Sequence, residues 1–375
     1  MARVLLLSDV NAKNILYCAR AAGHEVVVAG APDRNRVVRV HPSAERFVPL
    51  RSDLSFPSAN DDVVGEIFDL VSDHKIDVVL PSSFECIRLM SQHRAALDQR
   101  VRVMPTPRLE TVETLDDKAN FHQYCLANGI AHPHSHLLTG LSQAELEPLG
   151  SIQFPVIAKP PSGAGGEGLE IFDDLPSLVN HYTTPEGPDS EAFPLLVQEC
   201  FKGEDIDFNA FAREGQILAS SVMRTTFYER TPGFNVTDFV RNEEVRELGE
   251  RILEGSGFSG PVNIDMRIRA DDGTVQLIEV NPRFWDRIVH SLIDEINFVD
   301  VGIQAAAGPS KGVVSRAGPN QWPSSLVRPV LAAMRNLDPS ALSSLARTTW
   351  IQVRYLTFTK FLLAYAKVRE RLGRD

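Results

Sequence analysis

Residues 263–283 constrain the fold of this chain more than any other stretch. Apolar and charged side chains alternate through residues 264–269, which is the period-two pattern of a half-buried strand. An Asp-Asp-Gly sequence at 271–273 supplies turn chemistry, and an apolar run returns at 275–280. The stretch therefore predicts a β-hairpin.

Three side chains with oxygen atoms sit near the ends of this hairpin. Asp265 lies near the start of the first strand, and Glu279 and Asn281 lie near the end of the second. Those ends are neighbours across an antiparallel pair, so the three side chains can converge on one point. Two carboxylates and an amide suit a hard divalent ion, Mg²⁺ with Mn²⁺ as the alternative. The other interpretation is an ordinary hairpin with charges on its solvent face.

Composition and charge narrow the class of protein. The 375 residues are 43% hydrophobic, enough for two or three packed units. The net charge of -11 argues against a nucleic-acid surface as the main function. The 4 cysteines are widely spaced, which favours free thiols in a reducing compartment. Since no apolar run approaches a membrane span and the start reads as a strand, we expect a cytoplasmic protein.

The first hundred residues alternate between strand and helix patterns. The expected strands are residues 3–7, 25–29, 77–80 and 101–104, and the expected helices are residues 11–22 and 61–75. This order predicts an α/β fold with a parallel, doubly wound sheet. Ser82 and Ser83 follow the third expected strand, and capping of the next helix is favoured over ligand binding for them.

A lysine and a glycine-rich loop form a candidate phosphate site. Lys159 lies near the end of an apolar strand, and four glycines follow within residues 163–168. Glycine lets backbone N–H groups approach an anion closely. The loop lacks the Gly-Lys-Ser/Thr of a P-loop. A surface linker could look similar, but the preceding lysine and the hairpin favour phosphate binding.

Another apolar strand ends in Gln198 and Glu199, and Asp205 follows a turn later. The strand end could present an edge for adenine, and the acid could bind ribose hydroxyls. Taken alone, this is an ordinary strand and turn.

In this order the motifs resemble the ATP-grasp superfamily. They are Asp-Lys before a helix, Ala-Lys-Pro, the glycine loop, Val-Gln-Glu with Gly-Glu-Asp, and Glu-Val-Asn-Pro-Arg. The resemblance is to the carbamoyl phosphate synthetase large subunit and to stand-alone carboxylate–amine ligases, and it covers residues 115–308. Asn-Pro-Arg-Phe-Trp at 281–285 is its sharpest match. Asp286 follows where this branch often has Gly, and the next helix also departs from the usual sequence.

The resemblance implies a nucleotide site for ATP. Its residues would be Lys118, Lys159, Ser162, Gly163, Gly165, Gly166, Gln198, Glu199, Phe201 and Asp205. The lysines and the loop would contact phosphates, and the backbone at Phe201 would join the strand end at the adenine. Asp205, or Glu204, would hold the ribose.

The resemblance also implies the reaction. A small-molecule carboxylate would attack the γ-phosphate to give an acyl phosphate and ADP, and an amine would then displace phosphate. Asp265, Glu279 and Asn281 would hold one or two Mg²⁺, and Arg283 and Lys159 would offset charge. Arg224 would bind a substrate carboxylate, with a surface ion pair as the alternative. The rival functions are a carboxylase that uses bicarbonate and a nucleotide-binding protein without catalysis.

The expected domains are an α/β domain at 1–105, an ATP-grasp domain at 106–310 with a lid at about 120–200, and a helical tail at 311–375. Apolar residues in the tail recur at helical spacing from 351 to 365, among basic ones. Packing on the ATP-grasp domain or on a second copy, as a homodimer, is favoured over docking on a membrane surface. Histidines at 132, 134 and 136 predict an exposed loop rather than a zinc site.

Overall fold

The computed structural model describes residues 1–9, 12–36, 38–41, 43–54, 61–163, 168–183, 193–227, 235–308, 313–314 and 321–323. The predicted tail helix and two glycines of the predicted phosphate loop, Gly165 and Gly166, lie outside these residues. The chain forms two compact units. Unit 1 contains Met1–Leu109, Asp207–Asn263 and the described residues from Pro282 onward, and unit 2 contains Glu110–Ile206 and Ile264–Asn281. None of the helices in the described part is long and apolar enough to cross a bilayer.

Unit 1 begins with a parallel sheet in the order β3-β2-β1-β4-β5. Its elements are β1 (Arg3–Ser8), α1 (Ala12–Ala21), β2 (Glu25–Gly30), β3 (Arg46–Pro49), α2 (Asp61–His74), β4 (Val78–Pro81), α3 (Phe84–Gln92), α4 (Arg94–Leu97) and β5 (Arg102–Val103). Alternate residues of β1 enter two separate hydrophobic clusters, Val4 and Leu6 in one, Leu5 and Leu7 in the other. A sheet with both faces buried is typical of a doubly wound fold, and this prediction is confirmed.

The predicted helix stop at Gly23 and helix cap at Ser83 are both present in this region, but one strand was not predicted. Gly23 has φ +84° after the end of α1, a conformation that favours glycine. The Ser83 side chain accepts a hydrogen bond from the Cys86 backbone and caps α3. The sequence analysis missed β3, a four-residue strand that is half-buried or exposed throughout and ends in Pro49.

Unit 2 contains an antiparallel sheet in the order β6-β9-β7-β8. Its first segment contains α5 (Leu109–Asp116), α6 (Lys118–Ala127), β6 (Ser135–Leu138), α7 (Gln143–Leu146), β7 (Val156–Lys159), β8 (Glu170–Phe172), α8 (Leu175–Thr183) and β9 (Leu195–Glu199). The first residue of α5, Leu109, belongs to unit 1. Val156 and Ala158 of β7 and Val197 of β9 are buried with Leu178 of α8. This core fixes the strands that carry the two expected binding positions, Lys159 and Gln198.

The rest of the chain builds a third sheet, ordered β14-β13-β10-β11-β12-β16, with β15 beside β11. The elements are β10 (Gly203–Arg213), β11 (Gln216–Phe227), β12 (Asn235–Val240), α9 (Glu243–Ser256), β13 (Gly260–Arg269), β14 (Val275–Asn281), α10 (Phe298–Ala307), β15 (Val313–Val314) and β16 (Gln321–Pro323). The predicted hairpin is confirmed as β13 and β14. The boundaries between the units fall within β10 and β13 and after β14.

Two helices of unit 1 approach aromatic rings through glycine. A Cβ built on Gly249 of α9 would lie 2.3 Å from Cδ1 of Phe208, and one on Gly302 of α10 would lie 2.7 Å from Cε2 of Phe211. Real Cβ contacts are longer than this, so these helices could not pack as they do with a larger residue there.

Candidate functional site

The β13–β14 hairpin brings its three oxygen-bearing side chains together. Asn281 Nδ2 donates to Asp265 Oδ2 and to Glu279 Oε1, both at 3.2 Å. Burial of Glu279 opposes its ionisation, but hydrogen bonds with Asp265 and Asn281 and the charges of Lys118 and Lys159 outweigh burial and lower its pKa. Glu279 is therefore ionised at neutral pH, and the donor set fits a hard divalent ion such as Mg²⁺.

Lys159 ends β7 with a buried ammonium group, 6% exposed as a residue. Its Nζ donates to Gln198 Oε1 at 2.8 Å. Burial lowers the Lys159 pKa to about 8, with Glu279 acting to raise it and Lys118 to lower it. A buried ammonium is costly unless an anion pairs with it, which is a property expected of a binding group.

A chain of hydrogen bonds holds Lys159 in place. Gln198 Nε2 donates to Ser135 Oγ at 2.9 Å, and Ser135 Oγ donates to the Pro133 carbonyl at 2.7 Å. In this chain the amide oxygen of Gln198 accepts a hydrogen bond and its amide nitrogen donates one. Gln198 thus orients the lysine, a contact that the sequence analysis did not foresee when it placed this residue at the adenine edge.

Lys118 is tied to the start of the glycine loop. It begins α6 after Asp117, whose side chain caps the helix, and its Nζ donates to the Gly163 carbonyl at 2.8 Å. Gly163 has φ +114°, a backbone conformation that L side chains rarely adopt. Ser162 and Gly163 are exposed. The described part of the loop therefore sits beside one of the two expected phosphate ligands.

The carboxylates of Glu199 and Asp205 are already paired. Arg269 donates to Glu199 Oε1 from Nη1 at 3.2 Å and from Nη2 at 3.1 Å, and Arg267 Nε donates to Asp205 Oδ1 at 2.6 Å. The Arg269 guanidinium also lies 4.5 Å from the centre of the Phe201 ring. Glu199 would therefore reach adenine through its backbone, whereas the Asp205 side chain is 60% exposed and open to a ribose hydroxyl.

Arg267 and Arg269 were not predicted from the sequence to be site residues. They follow Asp265 at steps of two along β13, so side-chain alternation places the three on one face of the strand. That spacing was the available signal.

Arg224 and Arg283 belong to unit 1. Arg224 lies in β11, where its Nη2 is 3.9 Å from Asp238 Oδ2 across the β11–β12 pair. Both residues of this pair lie in strands, because β11 reaches Phe227 and β12 starts at Asn235. Arg283 Nη1 donates to the Phe284 carbonyl at 3.3 Å. The substrate and phosphate roles of both arginines stay predictions.

The ion pair of Arg287 and Asp207 in unit 1 was not predicted from the sequence. Arg287 Nη2 donates to Asp207 Oδ2 at 3.0 Å, and Arg287 Nη1 donates to the Thr225 hydroxyl. Arg287 follows Arg283 by four residues, and Asp207 follows Asp205 by two. Nothing in the sequence paired these positions.

Four histidines of unit 2 line a cavity of about 690 Å³: His122, His132, His134 and His136. His122 Nδ1 lies 2.9 Å from His132 Nε2, and burial together with the neighbouring histidines lowers the His122 pKa to about 4. Across the described ranges, no three His, Cys, Asp or Glu side chains form a group able to hold a metal ion. The predicted loop is partly wrong because His136 lies in β6.

Comparisons with known proteins found similar sequences and similar folds. A family model described as ATP-grasp in the biosynthetic pathway with Ter operon matches residues 191–321. The carbamoyl phosphate synthase large chain of Clostridium beijerinckii is 24% identical over 212 residues, which are 53% of this chain and 19% of that one. The chain thus spans about a fifth of the length of this relative.

Two solved structures share the fold. N5-carboxyaminoimidazole synthetase from Staphylococcus aureus complexed with ADP has a TM-score of 0.64 at 14% identity, covering 84% of this chain and 80% of that one. The biotin carboxylase domain dimer of Hydrogenobacter thermophilus 2-oxoglutarate carboxylase, in complex with MgADP, ADP and bicarbonate, has a TM-score of 0.61 at 16% identity, covering 83% and 71%. The chain therefore contains a region that matches an ATP-grasp family model, and it shares its fold with these two structures.

Proposed function

We propose that this chain is an ATP-dependent ligase that activates a small-molecule carboxylate as an acyl phosphate and joins it to an amine. The observation that carries the proposal is the electrostatic arrangement within unit 2. The buried ammonium of Lys159 and the ionised Glu279 attract each other electrostatically, and the charge of Lys118 acts on both. This arrangement suits a polyphosphate and its metal ion. The polyphosphate would place negative charge beside the lysines, and the metal ion would place positive charge beside the acids.

The chemistry of each side chain indicates its role in the proposed reaction. Asp265, Glu279 and Asn281 would hold Mg²⁺, which when bound would neutralise phosphate charge. Lys118 and Lys159 would bind the phosphates as point charges, with Lys159 held in position by Gln198. A carboxylate oxygen attacks the γ-phosphorus as ADP leaves. The amine nitrogen then attacks the acyl carbon, and phosphate leaves with the carboxylate oxygen and the bonding electrons, while the nitrogen loses its extra protons to water.

Three of the four cysteines support a mechanism without a thiol nucleophile. Burial raises the pKa of Cys18, Cys86 and Cys125, in the last case to about 12. Thiols with such pKa values carry almost no thiolate at neutral pH. Phosphoryl transfer depends on positioning and charge neutralisation, so it needs no protein nucleophile. The cysteines are all unpaired, and we propose that the protein acts in the cytoplasm.

Acyl phosphate formation can be tested with an isotope. Candidate acids labelled with ¹⁸O are mixed with ATP, Mg²⁺ and an amine, and ADP, AMP and phosphate are analysed. We expect ADP, with one labelled oxygen per turnover in phosphate. Release of AMP and pyrophosphate would show adenylation and refute the mechanism, and turnover with bicarbonate as the acid would show a carboxylase.

Arg283 offers a second readout of the same chemistry. Its charge would be needed as negative charge develops in the transition state, so Arg283→Met is expected to reduce turnover by about 100- to 1,000-fold with little change in ATP affinity. Arg246→Met is the control, since Arg246 lies on α9 and pairs with Glu243 and Glu250 of the same helix. Equal losses in turnover and ATP affinity would contradict the role given to Arg283.

A further inference from the structure

A cavity of about 540 Å³ lies within unit 1, and none of the residues that line it has a role in the proposed reaction. Its volume falls in the range of pockets that take small molecules. Five charged side chains line it, three arginines and two acids: Arg94, Arg108, Arg213, Asp98 and Glu214. The lining thus carries an excess of positive charge, whereas the whole chain has a net charge of -11.

The hairpin of β10 and β11 holds Arg213 at the wall of this cavity. Arg213 ends β10, and the two turn residues, Glu214 and Gly215, have φ of +52° and +81°. Two positive φ values in succession are typical of a tight type I′ turn. Arg213 Nη1 donates to the carbonyl of Ala305, a residue that lines the same cavity, at 3.1 Å. In the described part of the chain the guanidinium makes this one hydrogen bond, so most of its five N–H donors remain for a ligand.

Arg94 of α4 brings a second guanidinium to the cavity. Its Nε donates to Asp98 Oδ2 at 2.6 Å, and its Nη1 donates to the Met104 carbonyl at 3.5 Å. Asp98 lines the cavity as well, so this ion pair lies at the wall. The Arg94 side chain is 37% exposed, and its Nη2 makes no hydrogen bond to the described residues. A ligand in the cavity can therefore accept from Nη2.

Two hydroxyl side chains of the lining can also contact an anion. Ser259 Oγ accepts from the Glu214 backbone N–H at 2.8 Å, which leaves the hydroxyl proton of Ser259 to donate. The Thr106 hydroxyl is buried and has no hydrogen-bond partner among the described residues. A buried polar group of this kind calls for a partner, and rotation about χ1 can turn a threonine hydroxyl toward an acceptor in the cavity.

We propose that this cavity binds a small phosphate monoester, with Arg213 and Arg94 donating to the phosphate oxygens. A phosphate dianion accepts several charge-assisted hydrogen bonds at once, and guanidinium groups match its geometry. Ser259 and Thr106 add neutral donors for the remaining oxygens. A phosphate ion alone would leave most of the 540 Å³ unfilled, so the ligand carries an organic group on its phosphate. The proposal does not depend on the ligase reaction, because it uses none of the residues placed in that reaction.

Binding is measured by calorimetry with the full chain in the presence of Mg²⁺ and ADP, which compete for phosphate sites on unit 2. The probes are inorganic phosphate, glycerol 3-phosphate, ribose 5-phosphate and glucose 6-phosphate, together with glycerol, ribose and glucose. We expect at least one ester to bind more tightly than inorganic phosphate. Its unphosphorylated counterpart is expected to bind at least about 100-fold more weakly, because the charged hydrogen bonds are lost.

Variants identify the groups that hold the phosphate. Arg213→Gln is expected to weaken binding of the ester about 10- to 100-fold, and Arg213→Lys is expected to recover part of the loss. Arg94→Gln is a second variant with the same expected direction, needed because Arg213 also anchors the Ala305 carbonyl. Arg246→Gln is the matched control, since Arg246 belongs to unit 1, is 33% exposed and pairs with carboxylates outside the cavity. Circular dichroism and thermal melting establish that each variant is folded.

Three results would overturn the proposal. No ester binds, or folded Arg213→Gln and Arg94→Gln both bind the ester as tightly as the unaltered chain. In the third, Arg283→Met abolishes binding and the two cavity variants do not, which would place the ester in the site of the proposed reaction. Equal affinity for inorganic phosphate and for every ester would show a site for the free anion and reject the organic group.

Discussion

ATP binding is expected to weaken as the pH rises through about 8, because Lys159 loses its proton there. Burial sets the pKa of this lysine at about 8 in the free chain, below its ordinary 10.5. Phosphate charge beside the ammonium favours the protonated form. Above pH 8, binding of ATP must therefore be accompanied by uptake of a proton, which becomes harder with each further unit of pH.

The size of the effect follows from the pKa. At pH 7 about nine in ten Lys159 side chains carry the proton, and at pH 9 about one in ten do. If the ammonium form binds ATP, Kd is expected to rise about tenfold between these pH values, which corresponds to about 1.4 kcal/mol.

Calorimetry with a non-hydrolysable ATP analogue and Mg²⁺ at pH 7, 8 and 9 measures this change. Lys159→Arg retains its charge at all three pH values, so its Kd is expected to stay constant. Lys159→Met is expected to bind more weakly at all three, also without a pH dependence, and adenosine serves as the ligand without phosphates. A constant Kd in the unaltered chain, or the same slope in Lys159→Arg, would refute the reasoning.

Three further predictions concern the metal, the core and stability. Glu279→Gln is expected to lower Mg²⁺-dependent ADP release by about 100-fold or more, because the metal supplies several kcal/mol, and undiminished release from a folded variant would remove Glu279 from the site. Gly249→Ala is expected to cost about 1–3 kcal/mol in urea unfolding by pressing Cβ on Phe208, whereas Gly65→Ala in α2, with open space around it, is expected to stabilise by about 0.5–1 kcal/mol. If both changes stabilise, the packing argument fails. Because the pKa of Lys159 is lowered, the unfolded chain binds the extra proton between pH 8 and 10.5, so the unfolding free energy is expected to rise with pH across that window by up to about 3 kcal/mol. The rise is expected to be absent from Lys159→Met, and equal pH profiles would contradict it.

The parts of the fold that were predicted correctly are encoded by local sequence patterns. The β13–β14 hairpin is encoded by alternation and turn residues within about twenty positions, and Glu279 and Asn281 lie at the predicted end of β14. Asp265 was expected near the start of the first strand but lies in the middle of β13, because that strand begins earlier, at Gly260. The alternation of strands and helices in the first hundred residues likewise fixed the parallel sheet, because a parallel neighbour requires a crossover. The predicted division into domains and the roles of the site residues stay predictions.

Contacts between distant residues were not predictable in the same way. Gln198 lies 39 residues from Lys159, and Arg287 lies 80 residues from Asp207. Such pairs form only after strand order and register are set, and those depend on packing across the whole sheet rather than on nearby sequence. The histidines show the same limit, since His136 was assigned to a loop and acquires its strand by pairing with β9.

The order in which the segments occur along the chain has a consequence for synthesis on the ribosome. Unit 2 takes its first segment from residues 110–206 and its second from residues 264–281, and a segment of unit 1 is translated between them. A nascent chain that has emerged only to residue 263 thus contains Lys118 and Lys159 but none of the three proposed metal ligands. Unit 2 is complete only when residue 281 has left the exit tunnel, and until then β10 lacks the rest of its neighbouring strand β13. Chaperone demand is therefore expected to be greatest while residues 207–281 are being translated.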